Sequence, residues 1–226
     1  MRKQFLTTCF LAVQCTVFAD QQLVKLRSEQ DINDHISKMS LEEKVGQMTE
    51  LAIDVLGHWE GENFVLDKDK LERTFIKYKV GSILNAPGPV AQTPEYWYKT
   101  ISTINEYSIR SCGIPCVYGL DQNHGTTYTL GGTLFPQNIN LGASFNPELA
   151  LKAATITAYE TRASNCPWTY SPTVDLSRDP RWPRVWENFG EDCLVNAVMG
   201  KSMIEGFQGK ETGTVRTDRR EIESPS

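Results

Sequence analysis

Two short runs constrain the fold of this chain more than any other feature. "VGSILN" (Val80 to Asn85) and "IPCVYGLD" (Ile114 to Asp121) are apolar almost throughout, and each closes abruptly on a polar residue. A strand without a polar face is covered on both sides, and such strands belong to parallel sheets. Helix-like segments lie between and around them, and "PWTYSPTVDL" (Pro167 to Leu176) is a third strand candidate. The order helix, strand, helix, strand, helix, strand, helix predicts an α/β fold, either a β/α barrel or a doubly wound sheet. No glycine-rich phosphate fingerprint follows any strand, which disfavours a dinucleotide-binding domain.

Local chemistry places the helices. Ser40-Leu41-Glu42-Glu43 reads as a capping box, opening a helix through about Leu51 with Leu41, Val45 and Met48 on its buried face. Asp67 caps a second helix with Leu71 and Ile76 inward. Thr93-Pro94-Glu95 and Asn146-Pro147-Glu148 are helix starts with proline at the first position. The helix from Thr93 carries Trp97, Ile101 and Ile104 at helical spacing. The one from Asn146 carries Leu149 and Ile156. A last helix is predicted from about Asp192 to Phe207, with Leu194, Val198 and Ile204 inward.

The ends of the chain differ from the middle. "MRKQFLTTCFLAVQCTVFAD" has a basic start, a mostly apolar stretch and a Val17-Phe18-Ala19 site, the pattern of a secretory signal over residues 1–19. Export to a periplasmic or extracellular location is the expectation. Residues 20–208 form the expected folded domain. Residues 209–226 are polar apart from Val215 and Ile222 and read as an exposed tail. No apolar run approaches the ~20 residues of a membrane span. The formal net charge of −5 gives no reason to expect nucleic acid as a partner. After the signal, Cys112, Cys116, Cys166 and Cys193 remain. The even count and an export route would permit disulfides, but Cys112 and Cys116 flank a strand and read rather as buried free thiols, and no Cys or His spacing resembles a zinc site. No cofactor is expected.

Chemistry is expected where strands end, because a barrel builds its site on that face. "GLDQNHG" (Gly119 to Gly125) sets Asp121 right after an apolar strand. From the residues alone, Asp121 is either the cap of the next turn or a carboxylate held for a ligand, and His124 is either a satisfied core histidine or part of that site. "GGTLFPQNINLGASFNPEL" suits a long rim loop with Phe135 and Phe145 as core anchors. "RDPRWPRVWENFGED" (Arg178 to Asp192) is stiffened by Pro180 and Pro183. Such a loop can hold Arg184 at a fixed position. Trp182 and Trp186 are either sugar platforms or core packing.

Together, "MSLEEKVGQMTE", "GLDQNHGTTYT", "TLFPQNINLGASFNPEL" and "RDPRWPRVWENFGED" resemble, in this order, the N-terminal domain of glycoside hydrolase family 3, the β-glucosidase-like family. The resemblance runs from roughly Asp31 to Gly209. It implies the N-terminal part of a (β/α)8 TIM-type barrel that hydrolyses terminal β-linked sugars with retention of configuration. β-Xylosidase is the nearest alternative within the family, and a non-catalytic sugar-binding fragment is the alternative from another class. Retention needs a nucleophilic carboxylate and a second carboxyl group as acid/base. By the resemblance, Asp121 binds hydroxyls of the terminal sugar and Arg184 lines the same subsite. A carboxylate accepts from two neighbouring hydroxyls, and the guanidinium offers a fixed fork of donors. Arg178 and Arg181 are expected to pair with local acids such as Asp179. Pro183 departs from the glycine common in the family.

A further departure is an absence. The family continues with a sugar-binding Lys-His pair and a nucleophilic aspartate in a Ser-Asp context, and this chain has neither dipeptide. It carries three or four βα units, where a whole barrel takes ~250 residues. The implied partners are a β-linked oligosaccharide or glycoside and a missing C-terminal segment. No catalytic residue is assigned within these 226 residues.

Overall fold

The computed structural model describes residues 23–24, 28–61 and 63–209. The signal expected over residues 1–19 lies outside them, as does the tail beyond Gly209. Two capped helices come first, α1 (Glu29–Lys38) and α2 (Leu41–Gln47). In each, a serine hydroxyl takes the third amide and an acid returns to the serine's own amide (Ser28 with Asp31, Ser40 with Glu43). Strand β1 (Glu50–Ala52) follows, then the hairpin β2 (Gly57–Glu60) and β3 (Asn63–Leu66). Helix α3 (Lys68–Leu71) widens into a π-helical turn over Glu72–Lys77 and leads to β4 (Ser82–Leu84). Then come α4 (Pro94–Cys112), β5 (Val117–Leu120), α5 (Asn138–Ala143), α6 (Pro147–Ala163), β6 (Trp168–Thr169) and α7 (Cys193–Gln208).

The main sheet runs β1-β4-β5-β6, every pair parallel. Spatial order follows chain order with no reversal. A doubly wound sheet reverses at a switch point, so the sheet is an arc of a TIM-type barrel. Leu51, Ile83 and Tyr118 share one row of the register and face the helices. Ile83, Tyr118, Trp97, Ile101 and Ile104 are wholly buried there, with Trp97 edge-on to Tyr118 at 5.9 Å between ring centroids. The opposite face is smaller and more polar. Gly119 lies on it because a side chain there would meet the Tyr170 hydroxyl at 2.5 Å. That hydroxyl donates to Glu50 at 2.6 Å, which also accepts from Ser82 at 2.7 Å.

Several expectations are corrected. The first helix stops at Gln47, and β1 occupies the place assigned to its last turn. Leu41, Val45 and Met48 are 72%, 57% and 87% exposed rather than buried. The helix docks instead through Gly46, where an added Cβ would sit 2.2 Å from the Tyr78 carbonyl. Leu194, Val198 and Ile204 also face outward. α7 buries Asn196, Met199, Gly200 and Met203, because the small residues Ala150 and Ala154 of α6 let the two helices approach closely. Leu149 and Ile156 are likewise exposed. Phe145 is 76% exposed and anchors no core. The strand read across Pro167 to Leu176 is confined to Trp168–Thr169. Helix α1 and the β2–β3 hairpin had no counterpart in the sequence reading.

The four cysteines from Cys112 onward are free. Burial pushes the Cys116 thiol up to about 12 and the Cys166 thiol up to about 11, so both are inert. Among the described residues no group of three metal-ligating side chains occurs, and no helix is long and apolar enough to cross a membrane.

Candidate functional site

Parallel strands present their carboxyl ends on one rim. The register aligns Ala52 with Leu84, Leu84 with Gly119, and Leu120 with Thr169. The segments that follow (Ile53, Asn85, Asp121 and Tyr170) therefore start from the same edge of the sheet.

Asp121 is half-buried at the end of β5, and its carboxylate accepts no hydrogen bond from any described residue. The cap of the following turn is its neighbour. Gln122, wholly buried, accepts from the Thr127 amide at 2.8 Å through Oε1, and its own amide donates to the Thr169 hydroxyl at 3.3 Å. The capping role weighed for Asp121 thus falls to Gln122. His124 is satisfied locally, with Nδ1 2.9 Å from the Phe135 carbonyl. Burial raises the Asp121 pKa first, the like charge of Glu187 raises it further, and the Arg184 guanidinium partly offsets both.

Arg184 opens the short 3₁₀ turn Val185–Glu187, which brings Glu187 back onto it. Its Nε donates to Glu187 Oε1 at 2.8 Å, and Nη2 donates to Oε2. The guanidinium is held charged by this pair first, with smaller contributions from Asp121 and Asp175. Glu187 in turn accepts from Asn123 Nδ2 at 3.3 Å, and Asn123 accepts from the Ser171 hydroxyl at 2.8 Å. Asn138 Nδ2 donates to the Glu187 carbonyl at 2.9 Å. Asn188 accepts from the Asp175 amide at 3.1 Å and donates to the Arg184 carbonyl at 3.3 Å. The loops after β5 and β6 and the arginine-bearing loop are therefore one hydrogen-bonded unit. Tyr128 faces the same cluster, its pKa raised by burial and then by Asp121 and Glu187.

Both residues singled out in the sequence lie in this cluster, each acting electrostatically on the other. Arg181 pairs with Asp179 through Nε and Nη2, 3.0 and 2.6 Å from the carboxylate oxygens, on the solvent side. Trp182 is half-buried and Trp186 is 45% exposed. Glu187, Asn123, Ser171 and Gln122 escaped the sequence reading. For Glu187 a signal existed, since an acid three residues after an arginine within one turn is placed to pair with it. The others depend on loops far apart in sequence.

What the cluster can do is bind a neutral polyol. An unpartnered carboxylate accepts hydroxyl protons, and the outer edge of a guanidinium donates to hydroxyl oxygens.

The profile of the glycosyl hydrolase family 3 N-terminal domain matches residues 40–218. The lysosomal beta glucosidase of Dictyostelium discoideum is 37% identical over 201 residues, 84% of this chain and 24% of that protein. A putative beta-xylosidase of Formosa agariphila is 32% identical over 200 residues, 86% of this chain and 25% of that protein. Among solved structures, the exo-1,3/1,4-beta-glucanase of a Pseudoalteromonas species superposes with a TM-score of 0.69 at 31% identity, covering 82% of this chain and 23% of that one. The chain spans about a quarter of the length of these relatives. A parallel barrel arc, a rim site of unpartnered carboxylate and forked guanidinium, and a profile match over most of the residues agree: the chain belongs to glycoside hydrolase family 3, of which it carries N-terminal barrel sequence.

Proposed function

We propose that this chain supplies the terminal-sugar subsite of a retaining hydrolase of the β-glucosidase type, with Asp121 and Arg184 as its substrate-binding residues. The observation that carries the reading is Asp121 itself. A carboxylate that is half-buried, raised in pKa and without a protein hydrogen bond is costly to keep unless a ligand completes it. Two adjacent sugar hydroxyls would do so, while Arg184 donates to a third oxygen. Hydrolysis is assigned to the whole protein and sugar recognition to these residues, since no residue here matches the family's nucleophile stretch or its acid/base. Two carboxyl groups about 5–5.5 Å apart across the scissile bond are required for retention. Glucose is favoured over xylose by the more identical relative, a beta glucosidase at 37% against a putative beta-xylosidase at 32%. Export through the signal over residues 1–19 belongs to the same proposal, on the basic start, apolar stretch and small-residue site of that segment.

The test has two arms on the purified chain. Glucose binding is followed by calorimetry and should be lost in Asp121→Ala. A chromogenic aryl β-glucoside should not be turned over above that variant's background. Binding that survives Asp121→Ala removes the subsite assignment. Turnover abolished by substituting one acid of this chain would place the catalytic machinery within it.

A further inference from the structure

The β2–β3 hairpin rises from the carboxyl end of β1, on the rim that carries Asp121. Trp59 sits on it with 46% of its surface open. Its position is fixed from two sides. Phe64 meets the indole edge-on at 5.5 Å between centroids. Gly88, in the loop after β4, lies directly against it: a Cβ there would be 2.7 Å from the indole ring, and the backbone at φ +69° itself favours glycine. An indole held on a glycine and a phenylalanine while almost half of it faces water is a preset apolar surface rather than core packing.

That surface connects to the candidate site. The Gly88 loop is bonded to the loop after β5: the Gln92 amide donates to the Tyr128 carbonyl at 3.0 Å, and the Leu130 amide to the Gln92 carbonyl at 2.7 Å. Trp97 Nε1 also donates to the Tyr128 carbonyl, at 2.9 Å. Tyr128, like Tyr170, feels the charge of Asp121. Strands β1 and β5 are separated only by β4, so the hairpin and the Asp121 loop leave one rim with a single strand between them.

We propose that Trp59 is a platform for the second sugar unit of a β-linked oligosaccharide, stacking against the apolar C–H face of a pyranose while Asp121 and Arg184 hold the terminal unit. The proposal rests on the sugar-binding reading above. A pyranose has one face of C–H bonds and a rim of hydroxyls. An open indole takes the face, while His58 and Glu60, paired at 3.1 Å, belong to the other face of the same strand and leave the indole unobstructed.

The test compares glucose with a β-1,3-linked glucose disaccharide, by calorimetry on the purified chain and the variants Trp59→Ala, Trp59→Phe and Asp121→Ala. Thermal unfolding of each variant reports whether the fold is kept, and Trp59→Phe keeps an aromatic ring where Trp59→Ala disturbs the hairpin. Trp59→Ala should weaken disaccharide binding about ten-fold and leave glucose binding within about two-fold, and Trp59→Phe should fall between. Equal loss for both sugars, or an unchanged disaccharide affinity, overturns the platform. If glucose still needs Asp121 while the disaccharide ignores Trp59, only this inference fails. If neither sugar binds the unaltered protein, the subsite reading fails and the platform with it.

Discussion

Arg184 gives its Nε–Nη2 edge to Glu187, three residues further along the same turn, with Nε 2.8 Å from Oε1. A guanidinium has two such edges. With one bound to protein, the other can face a ligand in a single orientation. Glu187 is mostly shielded, at 15% side-chain exposure, whereas Arg184 is 54% exposed, so the pair contributes little to stability and much to direction.

Glu187→Ala should therefore weaken sugar binding about ten-fold or more, on the order of 1–2 kcal/mol for lost charge-assisted positioning. Stability should fall by only about 1 kcal/mol or less. Calorimetry with glucose and urea unfolding on the same preparation check both halves. Equal losses in the two would make Glu187 a fold residue.

Asp121 carries a pH signature. Its folded pKa is raised by burial first and by Glu187 second. The native state therefore binds more protons than the unfolded one between the unfolded carboxylate value and the folded one, and stability falls as pH rises through that window. At neutral pH the ionised group is a net cost. Asp121→Asn should be more stable than the parent at neutral pH, and the gain should vanish below about pH 4, where the unfolded carboxyl is protonated too. Thermal melts across pH 3 to 8 give the comparison.

Gly142 supports the site from behind. It lies on α5, where a Cβ would come within 2.0 Å of the Phe189 carbonyl oxygen, two residues after Glu187. Gly142→Ala improves helix propensity by about 1 kcal/mol, yet backbone cannot yield as a flexible side chain can. The net effect should be a loss of about 1–3 kcal/mol, with weaker glucose binding, because α5 and the Glu187 turn are displaced together. Calorimetric melting and sugar titration would show whether the two fall in step.

The outer face of α2 should tolerate charge. Leu41→Glu, Val45→Lys and Met48→Lys remove exposed apolar surface and bury nothing among the described residues. Each should change unfolding free energy by no more than about 0.5 kcal/mol while raising solubility. A loss above about 2 kcal/mol would mean that this stripe is covered in solution.

Local chemistry was legible in the sequence wherever it was self-contained. The Ser40, Asp67, Thr93, Asn146 and Asp192 caps, the proline-started helices and the buried stripe of Trp97, Ile101 and Ile104 all depend on neighbours within about four residues. The apolar runs around Ile83 and Tyr118 likewise announced parallel strands, because such a run has no face for water. What tertiary structure alone decided is which face of a helix meets the rest of the protein. Leu41, Val45, Met48, Leu194 and Val198 are apolar at helical spacing and still point outward, since glycines and alanines allow backbone approach that bulky side chains forbid. The site divides the same way. Asp121 and Arg184 stand out in the sequence because each lies in a distinctive local segment. The bond from the Gln122 backbone amide to Thr169, the Ser171–Asn123–Glu187 chain of bonds and the seat of Trp59 on Gly88 join residues up to 64 positions apart. Such contacts exist only once parallel strands have brought their carboxyl ends to one rim.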